Sequence, residues 1–187
     1  MRFPEMQRLE TSRLILRKLT ASDTQLYYER LGSSAAVTRY MLFEPHKDIS
    51  ESEASIQKAL RRYEKGRCYR WCIAGKEDDA LVGVIELLRF DEGDSSCSFA
   101  YMLGEDFWGM GYGTEALTAA LDFAFRKMEV ESVMADHICE NGASGAVMRK
   151  VGMVPTGVLD AKYLKKGILH DAAGYRVDRS RWFASHP

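Results

Sequence analysis

Apolar residues alternate with polar ones in "TSRLILRKL", around Leu14, Leu16 and Leu19, and predict a first strand. "TASDTQLYYERLG" predicts a helix, with Thr20 and Asp23 placed as a capping box and Gly32 as a stop. "SESEASIQKALRRYEKG" predicts a second helix. Ser50 and Glu53 are placed to cap it, and Ile56, Leu60 and Tyr63 form one apolar stripe. The segment between them, Ser33 to Ile49, is irregular and suits a substrate-facing loop. Three strand patterns follow, "CYRWCIAG", "ALVGVIELLRF" and "CSFAYML", joined by the polar turns "KEDD" and "DEGDSS". Turns that short imply an antiparallel meander. A glycine-rich stretch then leads into a long helix with Leu117, Leu121, Ala124 and Met128 on one face, flanked by Ala116 and Ala120. A strand ("SVMADHIC"), a short helix ("GASGAVMRKVG") and two strands near Met153–Asp160 and Ala172–Arg179 complete the chain. A strand, a helix and a strand in succession imply a parallel pair around the long helix. The expectation is one mixed α/β domain over residues 1–187, its sheet mostly antiparallel.

Composition narrows the function classes. A chain of 187 residues with formal net charge −1 carries no basic field to attract nucleic acid or a membrane surface. No apolar run approaches a transmembrane span, and "MRFPEMQRLE" lacks the apolar core of a signal peptide, so the expected location is cytoplasmic. Cys68, Cys72, Cys97 and Cys139 form no Cys-x-x-Cys pair, and His46, His137, His170 and His186 do not join them at zinc spacings. Buried reduced thiols and no metal are expected.

The chemistry concentrates in "FWGMGYGTEAL", where Gly109, Gly111 and Gly113 alternate at the entrance to the long helix. Each glycine costs roughly 0.5–1 kcal/mol against alanine in regular structure, so bare backbone is required there. A helix N-terminus presents unpaired N–H groups and the positive end of a dipole, and glycines let an anion approach. The P-loop pattern fails because Thr114 and Glu115 stand where Gly-Lys is needed. The dinucleotide pattern fails because Gly113 falls one position early, and the loop follows a meander.

The same stretch resembles the acetyl-CoA pyrophosphate loop of the GNAT superfamily of N-acetyltransferases, and more narrowly its Rim-type branch, which includes ribosomal-protein-alanine N-acetyltransferases. "LETSRLILRKL", "SFAYML", "ENGASGAVMRKVGM" and "KGILHDAAGYRVDRSRW" resemble further segments of that branch in the same order, covering most of the chain. The resemblance implies a GNAT-like fold in which the strand before the loop splays from the strand after the long helix. It implies acetyl-CoA as co-substrate and direct acetyl transfer to a primary amine, either a protein N-terminus or a small molecule. Trp108, Gly109, Met110, Gly111, Gly113 and Thr114 would then hold the pyrophosphate, and Met102 and Leu103 would pair their backbone with the pantetheine arm. Asn141 and Ser144 match an Asn-x-x-Ser pattern that contacts the arm; a plain N-cap pair for the short helix is the other reading.

Amide formation needs a neutral amine, a polarised carbonyl, a departing thiolate and alignment. An α-amine titrates at about 7.7–8.0 and a lysine at about 10.4, so an N-terminus asks less of a base. Backbone N–H groups near Met102 to Gly104 are the candidate oxyanion donors. Asp136 is the first candidate base and Glu86 the second, each a carboxylate inside an apolar strand pattern. His137 alternates to the face opposite Asp136 and reads as a packed histidine. Tyr101 either orients the amine or fills the core. Ser98 stands where the branch often has Glu. Met148 stands where superfamily members with a tyrosine general acid carry it. The thiolate then leaves unaided or takes a proton from Ser144 or water. A non-catalytic acyl-CoA-binding module and a nucleotide-binding protein are the competing classes. Acceptor groups are expected from Ser33–Ile49 and from the segment around Lys162–His170. Trp182 and Phe183 are candidates for packing against a partner in a homodimer.

Overall fold

The computed structural model describes residues 1–186. Its centre is an eight-stranded sheet with strand order β1-β2-β3-β4-β5-β6-β8-β7. The strands are β1 (Leu9–Glu10), β2 (Leu14–Lys18), β3 (Tyr69–Gly75), β4 (Leu81–Asp91), β5 (Ser96–Leu103), β6 (Ser132–Ile138), β7 (Val154–Lys165) and β8 (Ile168–Asp178). The β3–β4–β5 meander is antiparallel. The β5–β6 pair is parallel, joined through the helix α3 (Tyr112–Arg126). This is the mixed, mostly antiparallel α/β sheet that the hydrophobic pattern predicts. β7 and β8 form one long hairpin at the sheet's edge, longer than the two short strands expected there.

Each face of the sheet is covered by its own apolar layer. On one face Leu117, Leu121 and Phe125 of α3 pack with Leu14, Leu16, Trp71, Ile85 and Phe99. On the other, α1 (Thr24–Tyr27) and α2 (Ile49–Glu64) bring Tyr27 and Ile56 onto Cys72, Val84 and Met102. Full burial of side chains of this size stabilises by about 1.5–3 kcal/mol each. Helix α4 (Gly142–Lys150) follows β6, and α5 (Arg179–Ser185) follows β8.

Local chemistry departs from the pattern in four places. The cap of α2 is Asp48, whose side chain accepts from Ser50 N at 2.9 Å, because Asp48 holds the extended backbone that a cap requires. The first helical segment is broken, running from a short 3₁₀ turn into α1 and then a π turn that ends at Gly32. Three cysteines are buried, but Cys139 is exposed. Trp182 is not available to a partner: it is 1% exposed and stacks on Phe125 at 5.6 Å in the chain's own core. Among the described residues no helix is long and apolar enough to cross a membrane, and no cluster of His, Cys, Asp or Glu is placed to hold a metal ion.

Two devices fix the region where β5 meets α3. Gly83 of β4 lies against the end of β5, where a Cβ would come 2.4 Å from the Met102 carbonyl oxygen. Glu115, in the first turn of α3, gathers the loop before β2. Its Oε1 accepts from Thr11 Oγ1, Ser12 Oγ and Arg13 N at 2.6, 2.9 and 2.8 Å, and its Oε2 accepts from Arg13 Nε at 2.7 Å. Arg13 also donates to the Met110 carbonyl at 2.9 Å and lies over the Tyr112 ring. These donors hold the Glu115 carboxyl down at about 2 against the opposing effect of burial.

Gly83→Ala should lower stability by about 1–3 kcal/mol, since the added methyl meets backbone that has no room to move. A urea midpoint equal to wild type would show that the close approach is not constraining. Because the folded-state pKa of Glu115 is depressed, its contribution is complete above the ordinary value of 4.5 and is lost as pH falls towards about 2. Glu115→Gln should therefore be less stable at neutral pH and show a shallower loss across that acid window. Urea midpoints measured against pH check both signs.

Candidate active site

The parallel pair closes for only three positions, Ser96↔Ser132, Cys97↔Val133 and Ser98↔Met134. Beyond Ser98 the strands part. β5 keeps β4 as far as Gly83↔Leu103, and β6 keeps β8 as far as Ile138↔Ala172. Each strand therefore turns one edge into the gap. A cavity of about 240 Å³ occupies it, with Phe99, Tyr101, Asp136, Asn141, Ser144 and Tyr163 among its walls. Which backbone groups face the gap follows from the register. Gly104 N donates to Val82 O at 2.9 Å, so in the antiparallel alternation Met102 is doubly bonded to Val84, and the amides of Tyr101 and Leu103 point the other way. The expectation for Met102 is revised accordingly: its polar backbone is committed within the sheet. The Leu103 carbonyl is also engaged, by the Trp108 indole N–H at 2.9 Å, leaving its N–H towards the gap.

Gly109 and Gly111 sit at φ +73° and +82°, left-handed backbone that a side chain would strain. A Cβ on Gly109 would meet nothing within 4 Å, so the approach to this backbone is open. The Glu115 N–H bonds back to Gly111 O at 3.0 Å, and the preceding N–H groups, of Tyr112, Gly113 and Thr114, have no intrahelical acceptor. Gly113 has a different reason to be bare. Its Cβ would lie 3.3 Å from Leu103 and 3.5 Å from Tyr101, so the missing side chain seats α3 against β5. The one carboxylate in the first turn, Glu115, is turned away and neutralised by Arg13. Free amides, open approach and no unpaired carboxylate in the first turn of α3 fit a diphosphate at this helix mouth.

The polar side chains sort into two places. Asp136 is in the gap: Oδ2 accepts from Lys162 Nζ at 2.5 Å and Oδ1 from the Tyr163 hydroxyl, both from β7. Burial and the adjacent carboxylate push the Tyr163 hydroxyl up to about 12. Ser98 also lines the gap. Ser144 Oγ donates to the Tyr101 hydroxyl at 3.3 Å, linking α4 to β5, and burial raises the Tyr101 hydroxyl. Asn141 lines the same gap while its side chain caps α4 through Ser144 N at 3.4 Å. Glu86 does not join them. It lies on the α1/α2 face of β4, paired with Arg62 at 2.6 Å in an adjoining groove. His137 is a packed histidine: Nδ1 donates to Ile138 O at 2.8 Å and the ring stacks on Tyr175. Arg149 donates to the Tyr175 hydroxyl at 2.8 Å.

The outer wall of the gap is held by a contact with no signal in the sequence. Lys165, only 9% exposed, points its ammonium from β7 at the carbonyls of Thr38, Met41 and Phe43. The irregular loop after α1 is thereby pinned over the gap, where Tyr40, Met41 and Leu42 form part of the wall. Tyr163 and Lys162 were legible only as members of a mixed polar segment that points to no single chemistry. Their meeting with Asp136 depends on how β7 curls back along β8.

Residues 13–154 match the family model for an acetyltransferase (GNAT) domain. The chain is 28% identical over 166 residues to the uncharacterized N-acetyltransferase p20 of Bacillus licheniformis, covering 89% of this chain and 93% of that one. It is 25% identical over 158 residues to the [ribosomal protein uS5]-alanine N-acetyltransferase of Escherichia coli (strain K12), covering 80% and 79%. The solved structure of spermidine N-acetyltransferase from Vibrio cholerae in complex with CoA and spermine superposes with a TM-score of 0.79 at 20% identity, covering 92% of this chain and 99% of that one. The family model, the parted strands and the helix mouth agree, and this chain belongs to the GNAT acetyltransferase family, as an acetyl-CoA-dependent N-acetyltransferase.

Proposed function

We propose that the gap between β5 and β6 is the transfer site, and that its own residues divide the work as follows. The observation that carries this is the end of pairing at Ser98↔Met134, beyond which the open edge of β5 runs on to Tyr101 and Leu103, the residues that pack on Gly113 at the mouth of α3. Acetyl-CoA, when bound, supplies an acyl group activated as a thioester. Backbone N–H groups of Gly109, Met110, Gly111, Gly113 and Thr114 would hold its diphosphate. The outward amides of Tyr101 and Leu103 would align the pantetheine arm as an added strand would. The same amides supply donors for charge developing on an acyl oxygen.

Asp136 is the proposed proton acceptor. Lys162 and Tyr163 fix its carboxylate against the gap, and the Tyr163 hydroxyl, held up at about 12, keeps its own proton at neutral pH. The hydroxyl pair of Ser144 and Tyr101 takes the place of the tyrosine absent at Met148. Burial keeps the Tyr101 proton in place, so the pair can donate to a departing thiolate. The acceptor is a primary amine, entering under the loop that Lys165 pins. The named relatives act on a ribosomal protein's alanine and on spermidine, and both kinds of amine are open to this chain.

Calorimetry should show CoA binding, with ATP and NAD clearly weaker. Gly111→Asp should weaken CoA by about tenfold or more, because it sets a carboxylate against phosphate; the strain at φ +82° also lowers stability, so affinity is read on the folded variant. An unchanged affinity in a folded variant would remove the loop from the site. Asp136→Asn should lower kcat by about 10²–10⁴-fold with CoA affinity little changed. A pH–rate profile identical to wild type would dismiss Asp136 as proton acceptor.

A further inference from the structure

The adjoining groove shares Met41, Ala100 and Tyr101 with the gap, so the two are continuous. Its floor is a row across three strands, Arg70↔Glu86↔Ala100, on the face covered by α1 and α2. Ala100 is exposed and small, leaving a cavity of about 300 Å³ beneath Tyr27, Phe43 and His46. The charged residues that line the two spaces are Arg70 with Glu86 and Arg89 with Asp136, but each carboxylate is claimed by a cation from behind the wall. Glu86, the expected partner of its cross-strand neighbour Arg70, is taken by Arg62 of α2 at 2.6 Å. Asp136 is taken by Lys162. Arg70 is left with the Tyr27 hydroxyl at 3.0 Å, and Arg89 lines the gap beside Tyr163. Among the described residues neither guanidinium has a carboxylate within ion-pair distance.

From this surplus we infer that the acceptor is a primary amine that carries a carboxylate, with Arg70 binding the carboxylate in the groove while the amine reaches the gap. The inference rests on the assignment of the gap as transfer site. A half-buried guanidinium whose hydrogen-bonded side-chain partner is a neutral hydroxyl takes a carboxylate by charge-assisted hydrogen bonds, and among the described residues no carboxylate competes for it. A polyamine would instead bring a second ammonium against Arg70 and Arg89. The chemistry is shared by a free amino acid and by a peptide N-terminus followed by an acidic residue.

The test uses matched acceptors on the intact protein. γ-Aminobutyrate is compared with γ-aminobutyramide and putrescine, and Ala-Asp-amide with Ala-Asn-amide. In each set the carboxylate form should lead in kcat/KM by about tenfold or more, the worth of one hydrogen bond to a charged group. The set with the larger ratio distinguishes a free amino acid from an acidic peptide. Arg70→Gln should collapse that ratio towards one. If turnover is too slow to compare, calorimetry of the same pairs on the CoA-loaded protein decides. Should the variant fail to fold, the wild-type pairs decide alone. Equal preference for carboxylate and amide, or a preference for putrescine, would overturn the inference. Failure of CoA itself to bind would instead count against the transfer site.

Discussion

The site depends on a sheet that stops pairing halfway along its central strands. Every backbone group in a sheet interior needs a partner, so two strands that part must each be satisfied elsewhere or expose an edge. Here β5 stays bonded to β4 and β6 to β8, and the gap inherits one open edge from each. Small residues hold the closed end, Ser96 beside Ser132, while Tyr101 and Asp136 occupy the open end. The parting produces both a slot between the strands and the free amides at its wall.

Around that slot, close approaches and clamps set positions. Bare backbone at Gly83 and Gly113 brings β4 and α3 against the end of β5. A Cβ on Gly145 would come 2.7 Å from His137 Nε2 and 2.9 Å from the Tyr175 hydroxyl, so its absence lets α4 settle onto β6 and β8. Glu115 and Arg13 tie the helix mouth to the loop before β2, and Lys165 ties the loop after α1 to β7. Each clamp joins segments far apart in the chain, and each gathers several donors or acceptors on one charge. That arrangement holds a loop at lower entropic cost than single contacts would.

How much of this was legible in the sequence follows from the range of the interaction. The helix mouth was legible because positive φ at Gly109 and Gly111 writes itself into residue type. The meander and the parallel pair were legible because turn length and strand–helix–strand order constrain topology. Gly113 was read as part of the anion cradle, although its bareness also serves packing on Leu103, which periodicity does not reveal. Whether Met102 or its neighbours face the gap depends on the parity of one register, fixed by the bond from Gly104 to Val82. Glu86 looked like a base because a carboxylate in an apolar run needs a partner, and the partner proved to be Arg62. Tyr163 and Lys165 act through the curl of a long hairpin, which local pattern does not encode.

If the free edge of β5 and the mouth of α3 together receive CoA, their amides should exchange more slowly in its presence. Amide hydrogen exchange with and without CoA tests it most directly. New protection is expected at Tyr101, Leu103 and the amides from Gly109 to Thr114, with Met102 slow in both states. Protection confined to other segments, with these amides unchanged, would contradict it.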